Sequence, residues 1–345
     1  MKLAVVLNLS AGLALDHPER CPAAAVRAWF AKAGVEVEVR AVHSADLATA
    51  LNWAVASGAE AVVVGGGDGT IAAAAELLAG TETALGILPL GTVNLLAHDL
   101  GLPREPQAAV AALATAEIRT IDIAEVNGRV FLNSSLLGLF PDMVRARERN
   151  RSRHGLQRWG GIVQAMAQSL RTYRLLKVEI DTGDGPRRVA TPALAVTNNL
   201  FQRRRPIFLH RPVLDGGRMG IYLTRHQRRI YLLRFMARLL FGGWRRDVGL
   251  EMKVATALTV TSRRSQLDVV NDGEVLTLTT PLVYRLRPKA LKVLVPHLSP
   301  PPPASSATKP GFGAGLREGL REGLRNSLRK GLKARFKPPP PESDQ

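Results

Sequence analysis

Ala61-Val62-Val63-Val64-Gly65-Gly66-Gly67-Asp68-Gly69-Thr70, running on into Ile71–Leu78, is the stretch on which the fold turns. An apolar run this short and this continuous predicts a buried strand, Ala61–Val64. The glycines break it into a turn, and the apolar spacing of Ile71–Leu78 predicts a helix directly after. Glycines at such a turn let backbone N–H groups approach phosphate oxygens, and the helix N-terminus adds a favourable dipole. Asp68 is out of place beside phosphate, since an acid repels it. The acid fits there if it holds Mg²⁺ or takes a proton from an attacking hydroxyl.

Working outward, the same texture repeats on both sides. Leu3–Leu7, Val35–Val42 and Leu85–Leu88 read as strands, and Pro22–Ala33 and Asp46–Ser57 as helices closed by Gly34 and Gly58. Strand–helix alternation at this spacing predicts a parallel sheet with helices on both faces. Ligands in such folds lie beyond the carboxyl ends of the strands, where the turns after Leu7, Val64 and Leu88 fall. From Ile121 the texture changes to strands with little helix between them. They include Ile121–Val126, Val130–Asn133, Lys177–Asp181, Ala193–Asn198, Gly220–Thr224, Ala257–Ser262, Leu267–Val270, Val275–Thr279 and Leu291–Val295. Two basic amphipathic helices, near Trp159–Tyr173 and Gln227–Phe241, interrupt them. The expected organisation is an α/β nucleotide-binding domain over 1–122 and a β-rich sandwich over 123–298. A Pro-rich linker and basic low-complexity tail complete it over 299–345. In that tail Leu316, Leu320, Leu324, Leu328 and Leu332 recur every fourth residue beside arginines, a pattern that suits either folding on an anionic bilayer or a disordered solubilising segment.

Lys and Arg total 47 against 29 acidic residues, a formal net charge of +18, which calls for an anionic partner. Aromatic residues are only 5% of the chain, thin for stacking on unpaired bases. An anionic membrane surface therefore ranks above nucleic acid, which is not expected as a partner. The single cysteine, Cys21, rules out an internal disulfide and a multi-cysteine metal site. No stretch approaches the ~18–20 uncharged apolar residues of a membrane span. The expected location is cytoplasmic, with peripheral attachment to the inner face of the membrane. Oligomeric state stays open, a homodimer being the assembly considered.

Three further turns carry chemistry-bearing residues. Asn8-Leu9-Ser10-Ala11-Gly12 follows the first strand, and Pro89-Leu90-Gly91-Thr92-Val93-Asn94 follows the fourth, with a hydroxyl and an amide suited to phosphate or ribose. Asn271-Asp272-Gly273-Glu274 is a hairpin signal with an extra acid of the kind that serves as a base in phosphoryl transfer.

These four turns, in this order, resemble the diacylglycerol kinase catalytic family, which includes bacterial lipid kinases and sphingosine kinases. The resemblance extends over about residues 1–296. It implies an active site in a cleft between an α/β domain and a β-sandwich, with ATP and Mg²⁺ as cofactors and a lipid hydroxyl as acceptor. By position, Gly65, Gly66, Gly67, Asp68, Gly69, Thr70, Gly91, Thr92 and Asn94 would face ATP phosphates, with Asn8 and Ser10 nearby. Glu274 would be the general base, with Asp272 and Asp68 supporting it or its metal. Asp215, in Leu214–Gly217, matches a loop that holds a structural Mg²⁺ in some members. Leu9 stands where the family usually has Pro, and Leu95 where many members have Asp. A nucleotide-binding membrane regulator without catalysis and an NAD-kinase-like phosphotransferase are the alternatives; the late Asp-Gly-Glu and the β-rich second half favour the lipid branch.

Overall fold

The computed structural model describes residues 2–11, 23–149, 175–203, 209–226, 228, 230–234, 238 and 247–297. Gly12, Cys21, Pro22, the helix expected near Trp159–Tyr173, much of Gln227–Phe241 and the tail 299–345 lie outside the described residues. Met1–His297 forms one compact unit.

In chain order the elements begin β1 (Leu3–Asn8), α1 (Ala23–Lys32), β2 (Val37–Val42), α2 (Leu47–Ala56), β3 (Ala61–Gly66), α3 (Asp68–Leu78) and β4 (Ala84–Pro89). Two helices follow, α4 (Leu95–Asp99) and α5 (Pro106–Ala114). Every residue of β1, β3 and β4 is buried, as near-continuous apolar strands must be when helices cover both faces. They pair in parallel with β2 in the order β2-β1-β3-β4. Parallel pairing sends the turns after Asn8, Gly66 and Pro89 to one edge of the sheet. Helix α3 starts at Asp68, three residues ahead of the expected Ile71. Gly67 is its N-cap, and an acid in the first turn suits the positive end of the helix. Helix α5, not foreseen, opens on a local signal: Pro106 sits in the first turn and the Glu105 carboxylate accepts from Gln107 N and Ala108 N.

The rest of the described chain is β5 (Glu117–Val126), β6 (Arg129–Phe131), β7 (Ser134–Gly138), α6 (Phe140–Arg149), β8 (Leu176–Asp181), β9 (Arg187–Thr191), β10 (Ala193–Asn198), β11 (Gln202–Arg203), β12 (Leu209–His210), β13 (Met219–Thr224), β14 (Leu250–Ala255), β15 (Ala257–Ser262), β16 (Gln266–Asn271), β17 (Glu274–Thr279) and β18 (Leu282–Val295). A six-stranded sheet runs β14-β13-β10-β7-β16-β17. Its inner face, with Leu137, Val196, Ile221 and Val269, packs on Ala124, Val178, Val260 and Tyr284 of the larger sheet.

The two halves share a sheet because β18 is long. Val293 near its end pairs in parallel with Leu85 of β4, while Leu258–Val260 of β15 pairs antiparallel with its first half. Strand β5 pairs with β18 on either side of a register shift between Arg287 and Leu291. The boundary expected at 122/123 falls inside β5.

Candidate active site

The edge where the parallel strands end collects three of the four turns. Asn8, buried at the end of β1, donates from Nδ2 to Thr70 Oγ1 at 2.9 Å. Its Oδ1 accepts from Ser10 N at 3.0 Å and from Ser44 Oγ at 3.3 Å. Ser10 Oγ in turn accepts from Ser44 N at 3.2 Å. Asn8 and Ser10 thus brace the first turn against the start of α3.

The second and third turns touch through glycine. A Cβ on Gly91 would run into Gly67 Cα and Asn94 Oδ1, whereas one on Gly67 would rest at ordinary contact distance from Gly91 Cα, so it is at Gly91 that the approach excludes a side chain. Asn94 has φ +53° and closes its own turn, Oδ1 accepting from Gly91 N at 2.9 Å and Nδ2 donating to Gly91 O at 2.7 Å. Asp68 ties the turns together. Its Oδ2 accepts from Asn94 N at 3.0 Å and its Oδ1 from Leu95 N at 2.8 Å. The acid therefore caps α4, a five-residue helix, from another element. Burial pushes the Asp68 carboxyl up from its ordinary value, with the two N–H groups and the charge of Arg211 acting against it. Gly67 brings no side chain to satisfy the first-turn N–H groups of α3, the groups that an incoming phosphate meets. Thr92 is exposed and helps Gly91, Asn94, His98 and Arg104 to line a cavity of about 160 Å³.

The fourth turn arrives from the far end of the chain. Asp272, at φ +47°, turns its carboxylate inward. It accepts from Leu132 N at 2.6 Å, Asn133 N at 2.8 Å and Ser134 N at 2.9 Å. Burial pushes its carboxyl up as well, and those three N–H groups and Arg211 pull the other way. With Asp272 anchored, Glu274 projects outward, and a Cβ on Gly69 would collide with its Oε1. Glu274 is exposed and meets no donor among the described residues.

Asp215 stands apart. It is exposed, in a loop pinned by Gly216 N to Asn199 Oδ1 at 3.0 Å and Gly217 N to Asp122 Oδ2 at 2.7 Å. Asp122 Oδ2 also accepts from Asn199 Nδ2 at 3.1 Å and Oδ1 from Lys289 N at 2.8 Å. The neighbouring oxygens are thus engaged by N–H donors, and Asp215 is the remaining carboxylate rather than one of a closed ligand set.

Sequence reasoning passed over Arg211 and Asp99. Arg211 is 1% exposed and lies against Asp99, Leu132, Asn133 and Asn198. No local pattern marks it; a lone arginine in a turn looks like any surface cation. His98, Asp99 and His210 place ligand-type atoms within 4.8 Å of one another. Asp99 Oδ1, however, accepts from His210 Nδ1 at 2.8 Å, and Oδ2 accepts from Arg211 Nε at 2.8 Å. A carboxylate already facing a guanidinium is a poor cation ligand.

Residues 2–126 match the family model of the diacylglycerol kinase catalytic domain. A curated relative named "Probable lipid kinase YegS-like" from Pseudomonas aeruginosa (strain PAO1) is 42% identical over 137 residues, 39% of this chain and 44% of that protein. One named "Diacylglycerol kinase" from Mycobacterium tuberculosis is 41% identical over 95 residues, 27% of this chain and 31% of that protein. The chain therefore aligns with under half the length of these relatives. A solved structure from Bacillus anthracis str. Sterne gives a TM-score of 0.64 at 20% identity, covering 85% of this chain and 96% of that one. A second from that source, described as a diacylglycerol kinase, gives 0.59 at 18%, with the same coverage. The likeness to these structures is one of fold: an N-terminal α/β region and a sheet-rich C-terminal region. The resemblance to the diacylglycerol kinase catalytic family holds over residues 2–126.

Proposed function

We propose that this chain transfers the γ-phosphoryl group of ATP to a lipid hydroxyl. The observation that carries the proposal is the contact of Glu274 with Gly69, which sets a carboxylate with no donor among the described residues against the first turn of α3. In the proposed reaction the lipid hydroxyl oxygen attacks the γ-phosphorus as the bond to the β,γ-bridging oxygen breaks. ADP departs and the hydroxyl proton passes to Glu274. N–H groups of Gly66–Thr70 and the end of α3 would stabilise charge on the phosphate oxygens, with Thr92 and Asn94 on the facing turn. Asn8 and Ser10 would act by bracing Thr70. Asp68 and Asp272 would hold the two turns in place, their oxygens each accepting backbone N–H groups. A magnesium ion would neutralise phosphate charge when bound with the nucleotide, and Glu274, whose oxygens accept no N–H group among the described residues, is the motif carboxylate that would help to hold it, with Asp68 acting from behind by fixing the turn.

The acceptor is proposed as diacylglycerol, a sphingoid base or a related lipid, reached from an anionic membrane surface. Support comes from the names of the curated relatives and the +18 charge. Among the described residues no helix is long and apolar enough to cross a membrane, and attachment would be peripheral. The division at 122/123, the Asp215 metal site and homodimerisation stand as proposals of the same kind.

Incubating the full chain with ATP, Mg²⁺ and a lipid panel, with mass detection of products, tests the reading. A phosphorylated lipid that disappears in Glu274→Gln is the expected result. Failure to phosphorylate any lipid across detergents and vesicles would defeat it.

A further inference from the structure

The Asp68 turn and the Asp272 turn are each fixed by backbone N–H groups, but neither network on its own relates one turn to the other. Arg211 does. Its main-chain N and its Nε donate to Asp99 Oδ1 at 3.2 Å and Oδ2 at 2.8 Å. Asp99 is the last residue of α4, whose opening N–H groups are the ones Asp68 accepts. On the other side Nη1 donates to Leu132 O and to Asn198 O, the latter at 3.0 Å, and Nη2 to Asn133 Oδ1. Leu132 and Asn133 are the residues whose N–H groups hold Asp272. A planar guanidinium with five fixed donors can satisfy both sides at once, which an ammonium cannot. Its charge also acts against the burial of both Asp68 and Asp272.

We infer that Arg211 is a positioning residue that sets Glu274 against Gly69 by linking helix α4 to the Leu132–Ser134 segment. The kinetic consequence rests on the phosphoryl-transfer reading above; the linkage itself does not. Removing the fork takes a charged partner from Asp99 on one side and from Leu132 and Asn133 on the other, which loosens both segments and, with them, their separation. Misplacement of reacting groups by about 1 Å costs on the order of 100-fold in rate, whereas a nucleotide held by the α/β turns alone is little affected.

The test uses the full chain with Arg211→Met, Arg211→Lys and Asp99→Asn, read by hydrogen exchange, calorimetric ADP binding and steady-state kinetics. In Arg211→Met, exchange at Asn94, Leu95 and Leu132–Ser134 should rise about 10-fold or more, while Val5 and Val63 in the central strands keep their protection. The rate constant kcat should fall ~10- to 100-fold, with ADP affinity within about 3-fold of wild type. Arg211→Lys should fall between, and Asp99→Asn should loosen Asn94 and Leu95 while sparing Leu132–Ser134. If Arg211→Met does not fold, Asp99→Asn decides by that selectivity. Unchanged protection at both clusters would overturn the inference. So would a uniform loss that includes Val5 and Val63, which would mark a general structural role. If wild type phosphorylates no lipid, the reading of function fails, while the exchange data still decide the linkage.

Discussion

The two acidic turns, Gly65–Thr70 and Asn271–Glu274, solve the same problem in different ways. Each must present a polar surface at a point where chain elements crowd together. The first does it with backbone, opening a helix on glycine so that N–H groups face outward, and its acid, Asp68, reaches sideways to cap α4. The second does it with a side chain. Asp272 is drawn inward onto three N–H groups, and that leaves Glu274 two residues on, across the hairpin, pointing out. In both turns the Asp is structural in its contacts. The acid available for chemistry is the one that the other acid's burial leaves exposed.

The largest break in that contrast should come from Glu274→Gln. Removing a positioned base typically costs 10²–10⁴-fold, so kcat on lipid should collapse while thermal stability stays within about 0.5 kcal/mol of wild type, as at exposed positions generally. Asp272→Ala should do the reverse, striking stability first. It orphans three backbone donors at ~1–3 kcal/mol each, so denaturant melts should show a loss of several kcal/mol, with Asp272→Asn milder because one carbonyl oxygen remains. A finding that Asp272→Ala folds as well as wild type and loses only turnover would reverse the roles of the two acids.

Asp68→Ala removes the cap of α4, worth about 1–2 kcal/mol, and should loosen the Thr92–Asn94 turn enough to weaken ADP binding in calorimetry. Gly69→Ala probes the contact between the turns. The new Cβ displaces the Glu274 carboxylate, and a several-fold fall in kcat with unchanged ADP affinity is expected, since the far end of a flexible side chain moves aside.

The smallest effect is in pH dependence. The Asp68 carboxyl is raised from 3.8 by burial, so its ionised form is disfavoured in the folded state. A raised folded value makes its contribution greatest below 3.8 and lost as pH rises through the folded value. Melting temperatures of wild type should therefore gain on Asp68→Asn as pH falls from neutral into the carboxylate range. Glu251, lowered mainly by hydrogen bonds to Arg187 and Arg225 against its own desolvation, should show the opposite trend against Glu251→Gln, losing its advantage as pH falls through its depressed value.

Much of this architecture was legible in the chain. Ala61–Val64 and Leu3–Leu7 declared themselves as buried parallel strands because continuous apolar residues have no other comfortable place. The glycine turns were legible because the conformational demand is local. The start of α3 was missed by three residues since Gly67–Thr70 looks like loop by propensity and becomes helix by capping. Strands β7 and β9 escaped because Ser134–Gly138 and Arg187–Thr191 carry weak alternation, and it is pairing with neighbours that makes them strands; β14 was overlooked although Leu250, Met252 and Val254 alternate with Glu251 and Lys253.

By itself, then, the sequence determined which segments would be strands with turns at their ends and which residue types those turns would offer. Only the tertiary structure decided where each acid points. Asp68 and Asp272 are oriented by N–H groups 26 and about 140 residues away, and Arg211 by partners 13 to 112 residues off. Hydrogen bonds between elements so distant follow from how β18 ties the two halves into one sheet, and local propensity carries no record of that.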